Sequence, residues 1–102
     1  MKALYCRAFG PETDLTVEEI DAPVPAVGEV LVLVQAAGLN FPVPLCVRGE
    51  YQFKPPLPFV PGSEGAGVVT ALGADVTGVS VDDRVCFNAS SGAFAEEIAI
   101  PA

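Results

Sequence analysis

Between Pro58 and Val69 the chain reads Pro-Phe-Val-Pro-Gly-Ser-Glu-Gly-Ala-Gly-Val-Val, a Pro-Gly turn that runs into a glutamate among glycines and then into β-branched residues. Pro61 fixes its own φ, and Gly62 accepts the positive φ that a tight turn demands. Gly65 and Gly67 fall on one side of an extended segment, where missing side chains let another backbone or a ligand approach closely. Glu64 reads as a buried glutamate. The string Gly62-Ser-Glu-Gly-Ala-Gly67 invites a phosphate-loop interpretation, and Asp83 lies downstream at a suitable distance. That motif needs a strand before it and a helix after it. The glycines lead instead into Val68-Val-Thr-Ala-Leu72, short, β-branched and stopped by Gly73, so the segment is expected to be a strand over 64–72.

The 102 residues make one domain, with three cysteines, no histidine and a formal net charge of -8. Nucleic acid and anionic membrane are poor partners for such a charge, because both reward Lys and Arg. Met1 to Phe9 lacks the apolar core of a leader, and no run of about 18 apolar residues occurs elsewhere, so a cytoplasmic protein is expected. The odd number and wide spacing of Cys6, Cys46 and Cys86 argue against a disulfide framework, and the three are expected to be small apolar core residues. The lack of histidine removes Ser-His and Cys-His nucleophilic catalysis. The acidic doublets Glu18-Glu19, Asp82-Asp83 and Glu96-Glu97 are poor paired carboxylates, since neighbours in a strand face opposite sides.

The spacing predicts strands over 2–9, 15–20, 29–37, 64–72, 84–87 and 93–100. The turn Gly10-Pro-Glu-Thr-Asp14 joins the first two into a hairpin. The near-continuous apolar run in Glu29–Ala37 marks a central strand. A short helix is expected to start near Pro42 or Pro44, since proline is tolerated only in a first turn. Glycine and proline, ten of each, punctuate the chain between short strands and favour a strand-rich, barrel-like fold.

Five blocks in this order carry a family likeness: Gly28-Glu-Val-Leu-Val, Ala36-Ala-Gly-Leu-Asn40, the Pro58 to Val69 stretch, Asp83-Arg-Val85 and Gly92-Ala-Phe-Ala-Glu96. Across essentially its whole length the chain resembles the amino-terminal catalytic domain of medium-chain dehydrogenases and reductases. The resemblance implies a mainly β fold with short helices, a GroES-like, partly open β-barrel over 1–102. Zinc-dependent relatives place a cysteine where Asn40 stands and a histidine where Ser63 stands, and neither replacement is a good zinc ligand. The cysteine-rich lobe that would follow Phe87 is replaced by Asn88-Ala-Ser-Ser-Gly92. The likeness is therefore to the zinc-independent quinone oxidoreductases, which transfer a hydride from NADPH, or sometimes NADH, to a quinone or enone.

The resemblance assigns Asn40, Ser63 and Glu64 as catalytic candidates, with Asn40 also a contact for the cofactor's carboxamide. Phe41, Tyr51, Gln52 and Phe53 are candidate substrate-binding residues, since quinones bind through flat apolar faces with a few polar anchors. Each has a competing structural reading. Asn40 suits a cap for the following helix, Ser63 suits a turn, and Glu64 suits an acceptor for backbone donors or an arginine. Arg48 is either that arginine, a phosphate contact or a solvated surface residue.

The family pattern has an acidic residue where Val43 stands, and it does not demand Pro44. Full-length members also continue into a Rossmann domain, which a chain of this length does not contain. Two readings stand side by side. One is the catalytic half of an NADPH-dependent quinone oxidoreductase. The other is a stand-alone, non-catalytic GroES-like module acting through oligomerisation or a partner protein, with its strand edges open to pairing.

Overall fold

The computed structural model describes all residues, Met1–Ala102. Strands β1 (Lys2–Tyr5) and β2 (Thr16–Glu19) form an antiparallel ribbon, with a 3-10 turn at Glu12–Asp14 between them. Strand β3 (Glu29–Ala37), helix α1 (Pro42–Arg48) and strands β4 (Glu64–Leu72), β5 (Arg84–Asn88) and β6 (Glu97–Pro101) follow. The last four strands make one antiparallel sheet in the order β5-β4-β3-β6, with open edges at β5 and β6. The fold is the expected strand-rich, partly open barrel.

Strand β3 takes the central place its apolar run implied, flanked by β4 and β6. Val30 and Val32 point into the core with 3% and 0% exposure, where they meet Val69, Phe87, Ile98 and Ile100. On β4, a Cβ at Gly65 would lie 2.7 Å from the Ala36 carbonyl oxygen, and one at Gly67 would collide with the Leu33 carbonyl. The two glycines let the backbones of β3 and β4 approach on that face, as their spacing implied. Register shifts between Val34 and Ala36 accompany this approach.

A second, smaller cluster of Cys6, Val47 and Phe59 packs α1 against the segment that follows β1. Cys6 and Phe59 exchange backbone hydrogen bonds of 2.9 and 3.0 Å. Helix α1 begins at Pro42 and holds Pro44 in its first turn, where a missing N–H leaves no bond unmade. It ends at Gly49, whose φ of +72° suits glycine and whose amide returns to the Cys46 carbonyl at 3.1 Å.

Two strand boundaries differ from the pattern. The first strand stops at Tyr5, not Phe9, because Cys6 leaves the ribbon to bridge Phe59 and Arg7 turns back to Glu18. The last strand begins at Glu97 rather than Ala93, because Ala93 and Phe94 give their amides to Gly62 and Pro61 instead of to β3. Alternation of side chains cannot report a change of hydrogen-bonding partner. No helix is long and apolar enough to cross a membrane.

Truncating Val69, which has 0% exposure, to alanine removes two buried methyl groups and should cost roughly 2 kcal/mol. Gly67→Ala should cost about 1–3 kcal/mol although it adds apolar surface, since a backbone carbonyl cannot yield to the new methyl. Val24→Ala, at a position 85% exposed, should stay within about 0.5 kcal/mol. Urea unfolding of the three variants measures all three differences.

Candidate functional site

A cavity of about 300 Å³ opens between α1 and the turn that leads into β4. One wall is made by Pro42, Val43 and Cys46 of the helix, with Tyr51, Phe53 and Phe59 beyond it. The opposite wall is made by Pro61, Gly62 and Ser63 together with Ala89, Ser90 and Ser91.

Backbone hydrogen bonds fix both walls. Ala89 donates to Ser63 at 2.8 Å, Gly92 to Val60 at 2.7 Å, Ala93 to Gly62 at 3.1 Å and Phe94 to Pro61 at 3.0 Å. The segment after β5 is thus zipped along the Pro-Gly turn. Gly62 holds a φ of +99°, and the Phe94 ring packs where its Cβ would be. On the other side the Glu50 amide returns to Leu45 at 2.9 Å, and the Cys46 thiol donates to the Phe53 carbonyl at 3.7 Å.

The sequence candidates divide between two faces. Ser63, Tyr51 and Phe53 line the cavity. Glu64 follows Ser63 as the first residue of β4, and neighbours in a strand face opposite sides. Its side chain lies over Gly38, in a shallow depression with Ala37, Gly65, Cys86 and Asn88. Glu64 is exposed rather than buried, and its carboxylate accepts no bond from a backbone amide or an arginine. Phe41 is 83% exposed and Gln52 is exposed, and neither lines the cavity.

Asn40 is half-buried in the connector from β3 to α1, immediately ahead of the cavity residues Pro42 and Val43. It does not cap the helix with its side chain. Its backbone carbonyl accepts from the Val43 amide at 3.1 Å, and the side-chain amide is left without a partner in the protein. The Ser63 hydroxyl is uncommitted as well, so the turn does not consume it. Arg48 is taken by Glu12, with nitrogen and oxygen 2.5 Å apart, and serves neither Glu64 nor the cavity.

The cysteines split three ways. Cys6 is buried, Cys46 half-buried at the cavity wall, and Cys86 exposed on the edge strand β5, so only the first is the core residue expected of all three. Burial pushes the Cys46 thiol above its ordinary pKa of 9.0. Burial, with a smaller contribution from the neighbouring Cys46 sulfur, does the same to Cys6. No three His, Cys, Asp or Glu side chains converge into a metal-binding group. Sequence reasoning missed Ser90, Ser91 and Cys46 as cavity residues. Two consecutive serines in a short connector were the available signal for the first two.

The family description "Alcohol dehydrogenase GroES-like domain" matches residues 26–102. An alcohol dehydrogenase of Moraxella sp. is 44% identical over 83% of this chain and 25% of its own length. Mouse quinone oxidoreductase is 39% identical over 94% of this chain and 30% of its own. The crystal structure of Escherichia coli quinone oxidoreductase complexed with NADPH superposes with a TM-score of 0.90 at 29% identity, covering 98% of this chain and 31% of that one. The chain thus spans about a quarter to a third of the length of these relatives.

The thiols check the placement of these walls. A thiol reagent at neutral pH should modify Cys86 quickly and Cys6 and Cys46 slowly, with all three equally fast in denaturant. Because the two hindered thiols have folded-state pKa values raised above 9.0, the native state holds protons that the unfolded chain has released. Their contribution is fully present below pH 9 and is lost as pH rises through the folded values. The urea midpoint should therefore fall above pH 9, less steeply in Cys46→Ala.

Proposed function

The chain belongs to the alcohol dehydrogenase GroES-like domain family, and from that premise we propose that it is the catalytic-domain portion of a zinc-independent, NADPH-dependent oxidoreductase acting on a quinone or enone. The observation that carries this reading is the cavity of about 300 Å³, with aromatic residues on one wall and uncommitted hydroxyls on the other. Such a cleft suits a flat, apolar ring bearing oxygen acceptors.

A bound reduced nicotinamide supplies the hydride, and the protein supplies orientation and electrostatics. Tyr51 and Phe53 offer faces against which a ring can stack. The Ser63 hydroxyl donates to an acceptor oxygen on which negative charge grows during reduction. Asn40 fits the nicotinamide end of the cofactor, because its unpartnered amide carries both a donor and an acceptor, as a carboxamide requires. Glu64, on the opposite face, acts as a positioning residue: its side chain covers Gly38 and so sets the path of the connector that presents Asn40.

Zinc independence rests on the donor set. An asparagine amide and a serine hydroxyl are weak ligands for zinc, and no thiolate or imidazole cluster supplements them. The greater length of the relatives supports a dinucleotide-binding domain lying outside these 102 residues.

In a polypeptide that joins this domain to a dinucleotide-binding domain, quinone-dependent oxidation of NADPH is the expected activity. Ser63→Ala should lower kcat by about 100-fold or more, the scale for removing one preorganised donor to a developing oxyanion, and Asn40→Ala should act chiefly through a raised KM for NADPH, both leaving the urea midpoint in place. An active enzyme indifferent to Asn40→Ala removes that residue from the mechanism. Absence of any quinone-dependent oxidation overturns the proposed function and favours the non-catalytic module.

A further inference from the structure

The lining of the cavity contains no charged side chain. Its polar groups are the hydroxyls of Ser63, Ser90, Ser91 and Tyr51 and the Cys46 thiol, which burial keeps protonated. None of the four hydroxyls is bound to another group of the protein, although Ser63, Ser91 and Tyr51 are half-buried. Three of them stand on one wall, and the two serines after β5 are held by the backbone bonds that zip Ala89 to Ser63 and Gly92 to Val60. A rigid backbone bearing free hydroxyls loses little entropy when a ligand oxygen arrives.

The surroundings act in the same sense. The chain carries 13 acidic against 5 basic side chains, so a ligand anion entering this cleft meets an unfavourable field and finds no cation to pair with. A buried, unpaired anion loses its hydration without compensation.

Resting on the quinone reading of the same cleft, we propose that the serine wall is its specificity device. Ser91, which the sequence reading passed over as part of a connector, hydrogen-bonds a second oxygen of the ligand and, with Ser63, selects uncharged two-oxygen rings over anionic ones. Ring substrates bearing a carboxylate, sulfonate or phosphate are rejected. At about 300 Å³ the cleft is at the small end for ligand sites, which suits a compact ring system.

The test uses the 102-residue chain carrying Cys86→Ser, so that no exposed thiol reacts, with binding followed by amide chemical shifts. The probes are a dimethylated naphthoquinone, its far-ring sulfonate, and the uncharged sulfonamide of the same size. The expected result is saturable binding of the quinone and the sulfonamide, with shifts centred on 61–63 and 89–92, and at least tenfold weaker binding of the sulfonate, on the order of one unpaired charge. Ser91→Ala should weaken the quinone about fivefold, the loss of one neutral hydrogen bond, and Ser91→Thr should restore it. Equal binding of sulfonate and sulfonamide, or indifference of the quinone to Ser91→Ala, overturns this inference while leaving the quinone reading in place. Failure of all three probes to shift these residues overturns both.

Discussion

The close approach of β3 and β4 is the constraint on which the rest of the molecule depends. The strands run antiparallel with Ala37 opposite Gly65, so the carboxyl end of one lies beside the amino end of the other. The connector bearing Asn40 and the turn bearing Ser63 therefore leave the sheet at the same end, though 23 positions separate them in the chain. Two glycines make this possible. A side chain at Gly65 or Gly67 would press on the Ala36 or Leu33 carbonyl and separate the strands on that face. Beyond that end, α1 and the segment after β5 line the cleft.

Much of this was legible because the physical demands are local. A proline followed by glycine states a turn without reference to anything else, and Gly62 has the positive φ that the pair implies. The apolar run of β3 announced its place between two neighbours, and Pro42 and Pro44 limited where a helix could begin. Boundaries were harder. Cys6 and Ala93 sit in segments whose side chains alternate like strands, yet their amides bond to Phe59 and Gly62 in place of the expected partners. Composition does not encode which carbonyl an amide chooses when two are in reach.

The site was legible by residue type and poorly legible by direction. Ser63 and Glu64 were grouped by the family resemblance, but the onset of β4 at Glu64 sends their side chains to opposite faces. The alternation that makes adjacent acidic doublets poor carboxylate pairs separates these two residues as well. Tyr51 and Phe53 reach the cleft while Gln52 between them does not, although the segment is irregular rather than a strand. The serines at 90 and 91 could not be assigned from sequence, since their place depends on long-range bonds to Val60 and Ser63. Arg48 shows the converse: an arginine near a candidate site is spent on a nearby carboxylate, Glu12.

Charge shows how such a cleft would share a cofactor with another domain. Of the five basic side chains, Arg7 is held by Glu18 and Arg48 by Glu12. Lys2, Lys54 and Arg84 remain, and none lines the cavity. A dinucleotide carries several phosphate charges, and those call for arginines, lysines or the amides of a helix amino terminus. The only helix here starts with prolines, which lack that amide. The groups this chain has in place suit the uncharged parts of the proposed reaction: a free carboxamide that could meet a nicotinamide ring and hydroxyls that could meet an acceptor. On the proposed reading this is a division of labour, in which the phosphates are bound where cations or glycine-rich amides exist, and the reacting ring lies in a cleft whose lining carries no charged side chain.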